Sequence, residues 1–528
     1  MEKRLLIWVM MTLSVVMSLS AQDEQAIAER LDLQRYEFPQ EKVHVMTDRG
    51  AYMAGDTLWL RAWVVDAATH RPVSASKFVY VELLSPTDSL CTRVKIHQDD
   101  DGVFQGYVPI PEDLPEGRYQ LTAYTLFMQN AGIDYFGRQP VDVTALMSLK
   151  RRITAQCVRF GDEVDVRLQY TDLAGEPCEF SDLMYVNQYG FLKPCGGGNG
   201  ESHFTLKGKE ALASMVLIEI DGYAKYIPLP PSSEVHVDFY PEGGYLVPGV
   251  ENAVAFKMHD PANLMTKASG ELVDQQGVVI APLRVEHDGM GVVNFTPRTD
   301  GRYAARWHDN FDEIKTFDLP QVRPDATVVQ VRHGDAGQML IQAAGAQATD
   351  AVLVVQQRGC LIAASYDAIT LNDDHLPAGV VQALLIDGNG RSLSERLFFA
   401  GKHTLPAAPV ETARPDYGDR EAVQVTVDVS QLATSGDGDN CAVAVIDDCA
   451  AVIGESDVYS SLLLQSDLRG NVHDPGYYFE QGDGVDASER DRHLDMLMLT
   501  QGWRRYDVPR VLRALSPSRN TPWRCPRW

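Results

Sequence analysis

Two clusters of carboxylates are the residues of this sequence best suited to hold a metal ion. Asp99, Asp100 and Asp101 stand side by side before a glycine, and Asp437 and Asp439 alternate with glycine. Carboxylate oxygens are preferred ligands of Ca²⁺, which makes these five residues calcium candidates. They lack the spacing of an EF-hand loop and lie between predicted strands, where Asp and Gly also favour tight turns. Calcium binding and turn formation are both open interpretations.

The common catalytic motifs are absent from the sequence. It contains no His-Glu-x-x-His zinc motif, no Gly-x-Ser-x-Gly nucleophile elbow and no Gly-x-x-x-x-Gly-Lys-Ser/Thr phosphate loop. The 13 histidines are dispersed, and the glycine-rich stretch 196–200 precedes no predicted helix, so we interpret it as a hairpin tip. Acidic residues are abundant enough that a glycosidase-type carboxylate pair stays open. We predict a protein that is not an enzyme, with no catalytic residue and no cofactor.

Three aromatic residues near the start of the mature chain are candidates for ligand binding. We predict that Tyr52, Trp59 and Trp63 share the opening strand of the first domain. Large aromatic side chains fill the core of a β-sandwich, whereas outward-facing ones would form a strip suited to a peptide or a sugar. Core packing and binding are both open for these three residues.

The charge of the chain restricts its partners. The 528 residues carry a formal net charge of −26 at pH 7. Nucleic acids are polyanions that proteins bind through Lys and Arg, so we expect no nucleic-acid partner. Anionic lipid headgroups would repel the chain for the same reason. Ordinary globular composition, with 45% hydrophobic and 23% charged residues, argues against extended disorder.

The first 21 residues are typical of a signal peptide. Two basic residues precede an apolar run from Leu5 to Leu19, and small residues follow up to Ala21. No later segment approaches 18 uninterrupted apolar residues, so we expect no direct membrane insertion of the mature chain. The sequence therefore predicts an exported protein.

The eight cysteines do not form a recognisable framework. They are scattered along the chain without a Cys-x-x-Cys pair, which argues against a zinc ribbon or a thioredoxin-like motif. Most stand in apolar surroundings, where Cys behaves as a small hydrophobic residue, so we predict buried free thiols. A disulfide between Cys178 and either Cys157 or Cys195 is the alternative.

A recurring strand pattern indicates the architecture that would position these residues. A glycine turn opens a run of alternating apolar residues at Gly55, Gly161, Gly249 and Gly418. Short period-2 strands separated by turn residues are typical of antiparallel sandwiches. We predict an all-β tandem array of about five Ig-like domains, with short helices only near the C-terminus, around 456–467 and 494–506. The predicted boundaries are 1–21 for the signal peptide, 40–145, 148–230, 233–321 and 325–402 for four sandwiches, 405–512 for a partial sandwich with the helices, and 513–528 for a disordered or aberrant tail.

Several motifs resemble one protein family. The stretch Glu41–Trp59 resembles the opening of the macroglobulin-2-type domain found in α2-macroglobulins, and similar family motifs occur at 238–249, 466–479 and 497–506. Together, over about 40–512, they resemble Gram-negative envelope proteins. In these, a macroglobulin-like array precedes a carboxypeptidase-regulatory-like sandwich and a TonB-receptor plug-type domain. This resemblance implies a macroglobulin-2-type first sandwich. For an exported chain it also implies a location in the periplasm or at the outer membrane of a Gram-negative bacterium.

The resemblance also implies a function. An accessory or scaffold protein beside an outer-membrane TonB-dependent transport system would bind an envelope protein or peptide, with an outer-membrane transporter as the implied partner. The alternative is an endopeptidase inhibitor of the α2-macroglobulin type without a thioester, because no cysteine stands in a Cys-x-Glu-Gln context. A protease-sensitive bait stretch would distinguish the two, and the longest candidate is 480–492.

The end of the chain departs from the family pattern. The chain stops where the plug-type region would follow, and residues 516–528 are basic and Pro-rich. We interpret this ending as a truncated or frame-shifted product. Leu497, Met498 and Trp503 would then present apolar surface whose covering domain is missing.

Overall fold

The computed structural model of the protein is built mostly from strands. It describes residues 24–73, 75–187, 192–194, 197–231, 235–260, 269–311, 313–334, 337–346, 351–388, 390–402, 408–430, 441–446, 457–480 and 484–502. Within them the strands form small sheets joined by turns, which confirms the all-β prediction. The sequence-based predictions for residues 1–21, 513–528, Cys195, Asp437, Asp439 and Trp503 lie outside the described residues.

The first sandwich packs a three-stranded sheet, β1-β3-β6, against a five-stranded sheet, β2-β8-β7-β4-β5. Its strands are β1 (Glu41–Thr47), β2 (Ala51–Met53), β3 (Thr57–Asp66), β4 (Phe78–Leu84), β5 (Leu90–His97), β6 (Phe104–Pro109), β7 (Gly117–Tyr124) and β8 (Gly137–Thr144). Alternate residues of β3, such as Leu58 and Leu60, are buried, so one face of the strand meets the core. Gly55 has a φ of +94°, a conformation that L side chains rarely adopt, in the turn before β3.

The second sandwich has two four-stranded sheets, β13-β14-β10-β9 and β12-β11-β15-β16. Its strands are β9 (Arg151–Phe160), β10 (Glu163–Asp172), β11 (Leu183–Asn187), β12 (Leu192–Pro194), β13 (Gly197–Gly198), β14 (Glu201–Lys207), β15 (Met215–Ile220) and β16 (Tyr223–Pro228). Glu116 joins it to the first sandwich, since its carboxylate accepts from the Tyr223 hydroxyl at 2.7 Å and pairs with Lys225 at 2.7 Å.

The third sandwich combines the sheets β17-β18-β21 and β20-β19-β22-β23. Its strands are β17 (His236–Pro241), β18 (Asn252–His259), β19 (Ser269–Asp274), β20 (Val279–Arg284), β21 (Met290–Phe295), β22 (Tyr303–His308) and β23 (Ile314–Asp318). Its core is centred on Trp307, which is fully buried and lies 5.4 Å from Phe256 between ring centroids. An aromatic pair of this kind contributes to stability beyond its buried area.

The fourth sandwich combines the sheets β24-β25-β28 and β27-β26-β29-β30. Its strands are β24 (Thr327–His333), β25 (Gln338–Gly345), β26 (Val352–Gln357), β27 (Cys360–Ser365), β28 (Ile369–Asn372), β29 (Gly379–Ile386) and β30 (Ser392–Ala400). Every residue of β29 is buried. In a strand with one face in water, buried and exposed residues would alternate. The continuous burial of β29 therefore means that both of its faces are covered.

An N-terminal helix, α1 (24–37), covers part of that outer face. Ile27 and Leu31, one turn apart, pack on a row of buried residues from the fourth sandwich: Val352, Val354, Leu384 and Ile386. The sequence-based prediction placed helices only near the C-terminus and did not include α1. None of the helices among the described residues is both long enough and apolar enough to cross a membrane.

The C-terminal segment, residues 457–480 and 484–502, covers more of the array. It contains a π-helix (Ser460–Gln465), a 3-10 helix (Pro475–Tyr478) and α2 (Ala487–Thr500). Leu497 and Met498 of α2 are each 1% exposed and share a core with Met290 of the third sandwich and Leu397 of the fourth. The expectation that Leu497 and Met498 lack a neighbour is therefore wrong, because two upstream sandwiches supply it.

A short hairpin, β31 (Val410–Thr412) and β32 (Val425–Val427), stands where the fifth unit was predicted. It repeats the opening of the first sandwich at a constant offset of 365 residues. Thr412 pairs with Val425 as Thr47 pairs with Leu60. The local hydrogen bonds repeat as well.

The turn between β31 and β32 copies the turn between β1 and β3. The Arg49 amide donates to the Tyr52 hydroxyl at 3.1 Å, and the Arg414 amide donates to the Tyr417 hydroxyl at 3.1 Å. Each guanidinium lies 4.7 Å from the centroid of its own tyrosine ring. The residue equivalent to Gly55 is Arg420, with a φ of +61°, and not Gly418 as the sequence pattern suggested.

Candidate binding surface

The outer face of β3 carries an exposed aromatic pair. Trp59 on β3 and Tyr107 on β6 are direct cross-strand partners. Their ring centroids lie 5.3 Å apart, and the side chains are 56% and 54% exposed. A backbone ladder holds both residues, so the pair is presented by a rigid element rather than by a loop. Exposed aromatics of this kind are suited to contact a peptide or a sugar.

Arg61 and Trp63 continue the same face towards a covered end. The Arg61 guanidinium lies 5.5 Å from the centroid of Trp63, and the His44 ring lies 5.8 Å from the Trp63 ring in a tilted arrangement. Trp63 is half-buried. Burial lowers the pKa of His44 to about 4, so this histidine is neutral at physiological pH. The face therefore runs from a neutral, covered end at His44 to an open aromatic end at Trp59.

Tyr52 does not belong to this surface. It lies on β2, which pairs with β8 in the opposite sheet, and it is 2% exposed. Its hydroxyl donates to an oxygen of Asp48 at 2.6 Å, and burial raises its pKa further above the ordinary value. The prediction that Tyr52 shares a strand with Trp59 and Trp63 is corrected, because the chain turns at 54–56 and changes sheets.

Tyr107 is the member of the pair that sequence reasoning missed. On β6, Phe104 and Val108 are buried while Tyr107 points outwards. The signal was available in this alternation, since residues two apart on a strand share a face. Pairing of β6 with β3 was not visible in the sequence.

The second hairpin shows that the outward aromatics are not needed to build this element. Its inward residues are all valine, as a sandwich core requires. Its outward residues, Gln424, Thr426 and Asp428, stand at the positions of Trp59, Arg61 and Trp63. The same backbone forms with polar outward residues. This hairpin conformation is therefore compatible with polar residues at the positions of the tryptophans.

A buried ion cluster fixes the covered end of this surface. Lys42 of β1 donates to Asp467 at 2.8 Å and to the Leu462 carbonyl at 2.6 Å. Arg358 of the fourth sandwich also donates to Asp467, through Nε. Burial lowers the pKa of Lys42 to about 8. Burial opposes ionisation of Asp467, but the charges of Arg358 and Lys42 outweigh it and hold its pKa below the ordinary value.

A second buried cluster joins the third and fourth sandwiches to α2. The carboxylate of Glu242 accepts from Arg332 at 2.8 Å and from Arg396 at 3.2 Å. Arg396 also donates to both oxygens of Asp495, at 2.7 and 2.8 Å. A cleft of about 670 Å³ opens beside it, lined in part by Tyr245. Together the two clusters link the third sandwich to the fourth and the fourth to the first.

The acidic residues of the first predicted calcium cluster are used in a turn. Asp99 accepts from the amides of Asp101 and Val103, at 3.1 and 2.7 Å. Across the part of the chain that the structure describes, no group of three or more His, Cys, Asp or Glu side chains is arranged to hold a metal ion. The five described cysteines, Cys91, Cys157, Cys178, Cys360 and Cys441, are free thiols, and all are half-buried or exposed rather than buried.

Six of the 13 residues of the candidate protease bait, 487–492, are helical. Helix α2 begins at Ala487 and takes in the second half of 480–492. Arg490 is 2% exposed, donates to the Tyr477 carbonyl and stacks on that ring at 4.6 Å. A protease requires an extended, accessible segment, so these residues are poorly suited to act as bait.

Comparison with known proteins places a macroglobulin-like domain at the aromatic surface. Residues 42–136 match the MG2 domain family. Among curated proteins no sequence matches this chain.

Solved structures overlap the chain loosely. The native α2-macroglobulin of Escherichia coli shares 10% identity over 71% of this chain and 30% of its own, with a TM-score of 0.26. A mutant Salmonella α2-macroglobulin shares 12% identity over 74% of this chain and 32% of its own, with a TM-score of 0.27. The tetra-tandem repeat of a large adhesion protein shares 12% identity over 68% of this chain and 99% of its own, with a TM-score of 0.17. The chain thus spans about a third of the macroglobulins, and overlap at this level indicates no function.

Proposed function

We propose that this chain is a non-enzymatic binding and scaffold protein of the cell envelope. Its macroglobulin-like first sandwich would hold a protein or peptide on the aromatic surface formed by Trp59, Arg61, Trp63 and Tyr107. The observation that carries the proposal is the exposed pair of Trp59 and Tyr107, fixed across a strand ladder. A pre-ordered aromatic anchor loses little conformational entropy on binding, which favours affinity.

The resemblance to envelope arrays suggests where this partner is found. The signal-like N-terminus supports export, and the family motifs support a place beside a TonB-dependent transporter of the outer membrane. The buried clusters at Asp467 and Glu242 support a scaffold role, since they hold the sandwiches in fixed relation. A transporter subunit, or a peptide that it carries, is the proposed partner class.

Photo-crosslinking in the native bacterium tests the surface directly. A photoreactive phenylalanine analogue at position 107 should capture an envelope protein, and Trp59→Ala in the same chain should abolish the adduct. Phe160 on β9 is the matched control, because it is 68% exposed on another sandwich. Adducts of the same size and yield at positions 107 and 160 would disprove the surface. Fractionation of the same cells, with N-terminal sequencing of the product, tests export and cleavage after Ala21.

Endopeptidase inhibition is the second candidate, and the match to the MG2 domain family is the observation that favours it. It predicts non-covalent loss of protease activity towards large substrates while activity towards small peptides remains. Incubation with several endopeptidases, followed by activity assays and denaturing gels, tests it. Because Cys-x-Glu-Gln is absent, we expect no conjugate that survives denaturant. The helical state of 487–492 makes this candidate the weaker one.

A further inference from the structure

The hairpin β31–β32 displays a sandwich core face to solvent. Its inward valines are 37–66% exposed, whereas the equivalent residues of the first sandwich are 0–6% exposed. The five exposed residues are Val410, Val423, Val425, Val427 and Val429, and their equivalents are Val45, Leu58, Leu60, Ala62 and Val64. We call these five valines the valine face. An isolated two-stranded hairpin is marginally stable in water, so this face needs a covering element.

The first sandwich shows which element covers such a face. The next strand along the chain after β3 is β4, which belongs to the opposite sheet. Its residues Val79 and Val81 are fully buried in one core with Leu58 and Leu60. In a macroglobulin-type sandwich the hairpin is therefore covered first by the strand that follows it.

The second hairpin is followed by a segment with the composition of such a strand. Residues 441–446 read Cys-Ala-Val-Ala-Val-Ile, without a charged residue. They form no strand in this structure, and Val443, Val445 and Ile446 are 68%, 87% and 44% exposed. Their single described anchor is the Cys441 carbonyl, which accepts from Nη1 of Arg61 at 3.0 Å. Two apolar elements from neighbouring parts of the chain are thus both left in water.

We propose that residues 441–446 dock on the valine face as the strand equivalent to β4. Their contact with Arg61 is the alternative position, against the outer face of β3. Docking removes apolar surface of both elements from water, which is favourable at roughly 25 cal/mol per Å². The segment is tethered to the hairpin, so its effective concentration exceeds that of any separate molecule.

The two positions of the segment have a consequence for the aromatic surface. In the arrangement seen here the segment is held by Arg61, between Trp59 and Trp63 on the outward row of β3. Docking on the valine face withdraws it and leaves Arg61 free to meet a partner. The docking proposal depends only on the repeated hairpin. The consequence for Arg61 and the aromatic surface rests in addition on the proposed function.

Cysteine labelling of the full-length protein tests the docking. Val425→Cys and Ile446→Cys each report on one of the two elements, and Thr426→Cys, on the opposite face of β32, is the control. Peptide mapping by mass spectrometry separates each new thiol from the native ones. We expect Val425→Cys and Ile446→Cys to react at least tenfold more slowly than Thr426→Cys. Equal rates at all three positions would overturn the proposal.

A second variant tests which surface protects the segment. Val427→Asp places a charge in the valine face, so Ile446→Cys should then react as fast as the control, whereas Thr426→Asp should leave it protected. No effect of Val427→Asp would overturn the proposal. Protection that is lost on dilution would show that a second copy covers the face, which also overturns it. Because Ile446→Cys leaves the hairpin unaltered, its result stands even if the Val425 variant fails to fold.

Discussion

At the scale of single residues, Asp467 is the carboxylate on which two sandwiches converge. It is 5% exposed and receives Lys42 from the first sandwich and Arg358 from the fourth. Replacing a buried ion pair by apolar residues is often neutral, but removal of one partner leaves an uncompensated charge. Asp467 has two such partners, so its removal leaves two buried cations, Lys42 and Arg358, without their counter-charge.

Asp467→Asn should therefore lower the free energy of unfolding by about 3–5 kcal/mol. Chemical denaturation followed by circular dichroism measures it. Asp491→Asn is the control, because Asp491 is 63% exposed and pairs only with Lys402 among the described residues. That change should cost no more than about 1 kcal/mol. Equal unfolding midpoints for the two variants would contradict the role given to Asp467.

The buried histidines near this cluster predict a loss of stability in acid. Burial lowers the pKa of both His44 and His70 to about 4, and the charge of Lys42 acts in the same direction on His70. The folded protein therefore keeps them neutral while the unfolded chain binds protons below about pH 6.5. Stability is complete above pH 6.5 and is lost as the pH falls towards 4.

Each histidine should cost about 2 kcal/mol of stability at pH 5 relative to pH 7. Denaturation curves at the two pH values measure the loss, and His44→Gln should remove its share. A variant that loses as much stability between pH 7 and pH 5 as the original protein would show that His44 does not contribute.

At the scale of elements, most of the fold prediction came from the period-2 alternation of apolar residues along the strands. Alternating apolar residues predicted the strands because most of the sheets bury one face in the core of their sandwich. Helix α1 was missed although Ile27 and Leu31 have helical spacing, since the sheet that buries them is formed by residues beyond 350. Tyr52 was misplaced for a related reason. Assignment of a strand to one sheet or the other depends on distant pairing, which a single sequence does not display.

Docking of α2 offers an element-scale prediction. Leu497 is 1% exposed between the third and fourth sandwiches, so Leu497→Ala should reduce the free energy of unfolding by roughly 2–5 kcal/mol. Leu212→Ala makes the same change at a residue that is 68% exposed and should cost less than about 0.5 kcal/mol. Thermal or urea denaturation compares them. Similar costs would mean that α2 is not docked in solution.

At the scale of the whole molecule, the fourth sandwich of the array contacts the first. Arg358 of the fourth sandwich lies 5.1 Å from the ring centroid of Tyr135 in the first, and α1 packs on the fourth sandwich before the chain enters the first. The outer aromatic surface is therefore presented by a closed body. A linear string of sandwiches would span a distance, whereas this arrangement holds one surface in place.

Small-angle X-ray scattering should reveal this closure. A fully compact chain of this length has a radius of gyration of about 24 Å. We expect the protein to lie within several ångström of that value, and the double variant Asp467→Asn, Asp495→Asn to be clearly more extended. The Asp491→Asn variant should match the original protein. An original protein as extended as the double variant would contradict closure.

The bond between Lys42 and Asp467 joins residues 425 positions apart. Chains are synthesised at roughly 5–20 residues per second, so Lys42 waits about 20–85 s for its partner. During that interval Lys42 on β1 lacks its counter-charge, and the first sandwich exists without its covering segment. A segment made late thus covers a sandwich made early. A nascent chain of this kind stays incompletely covered until residues 457–480 are made, and its yield should depend on the holding chaperones of the compartment in which it folds.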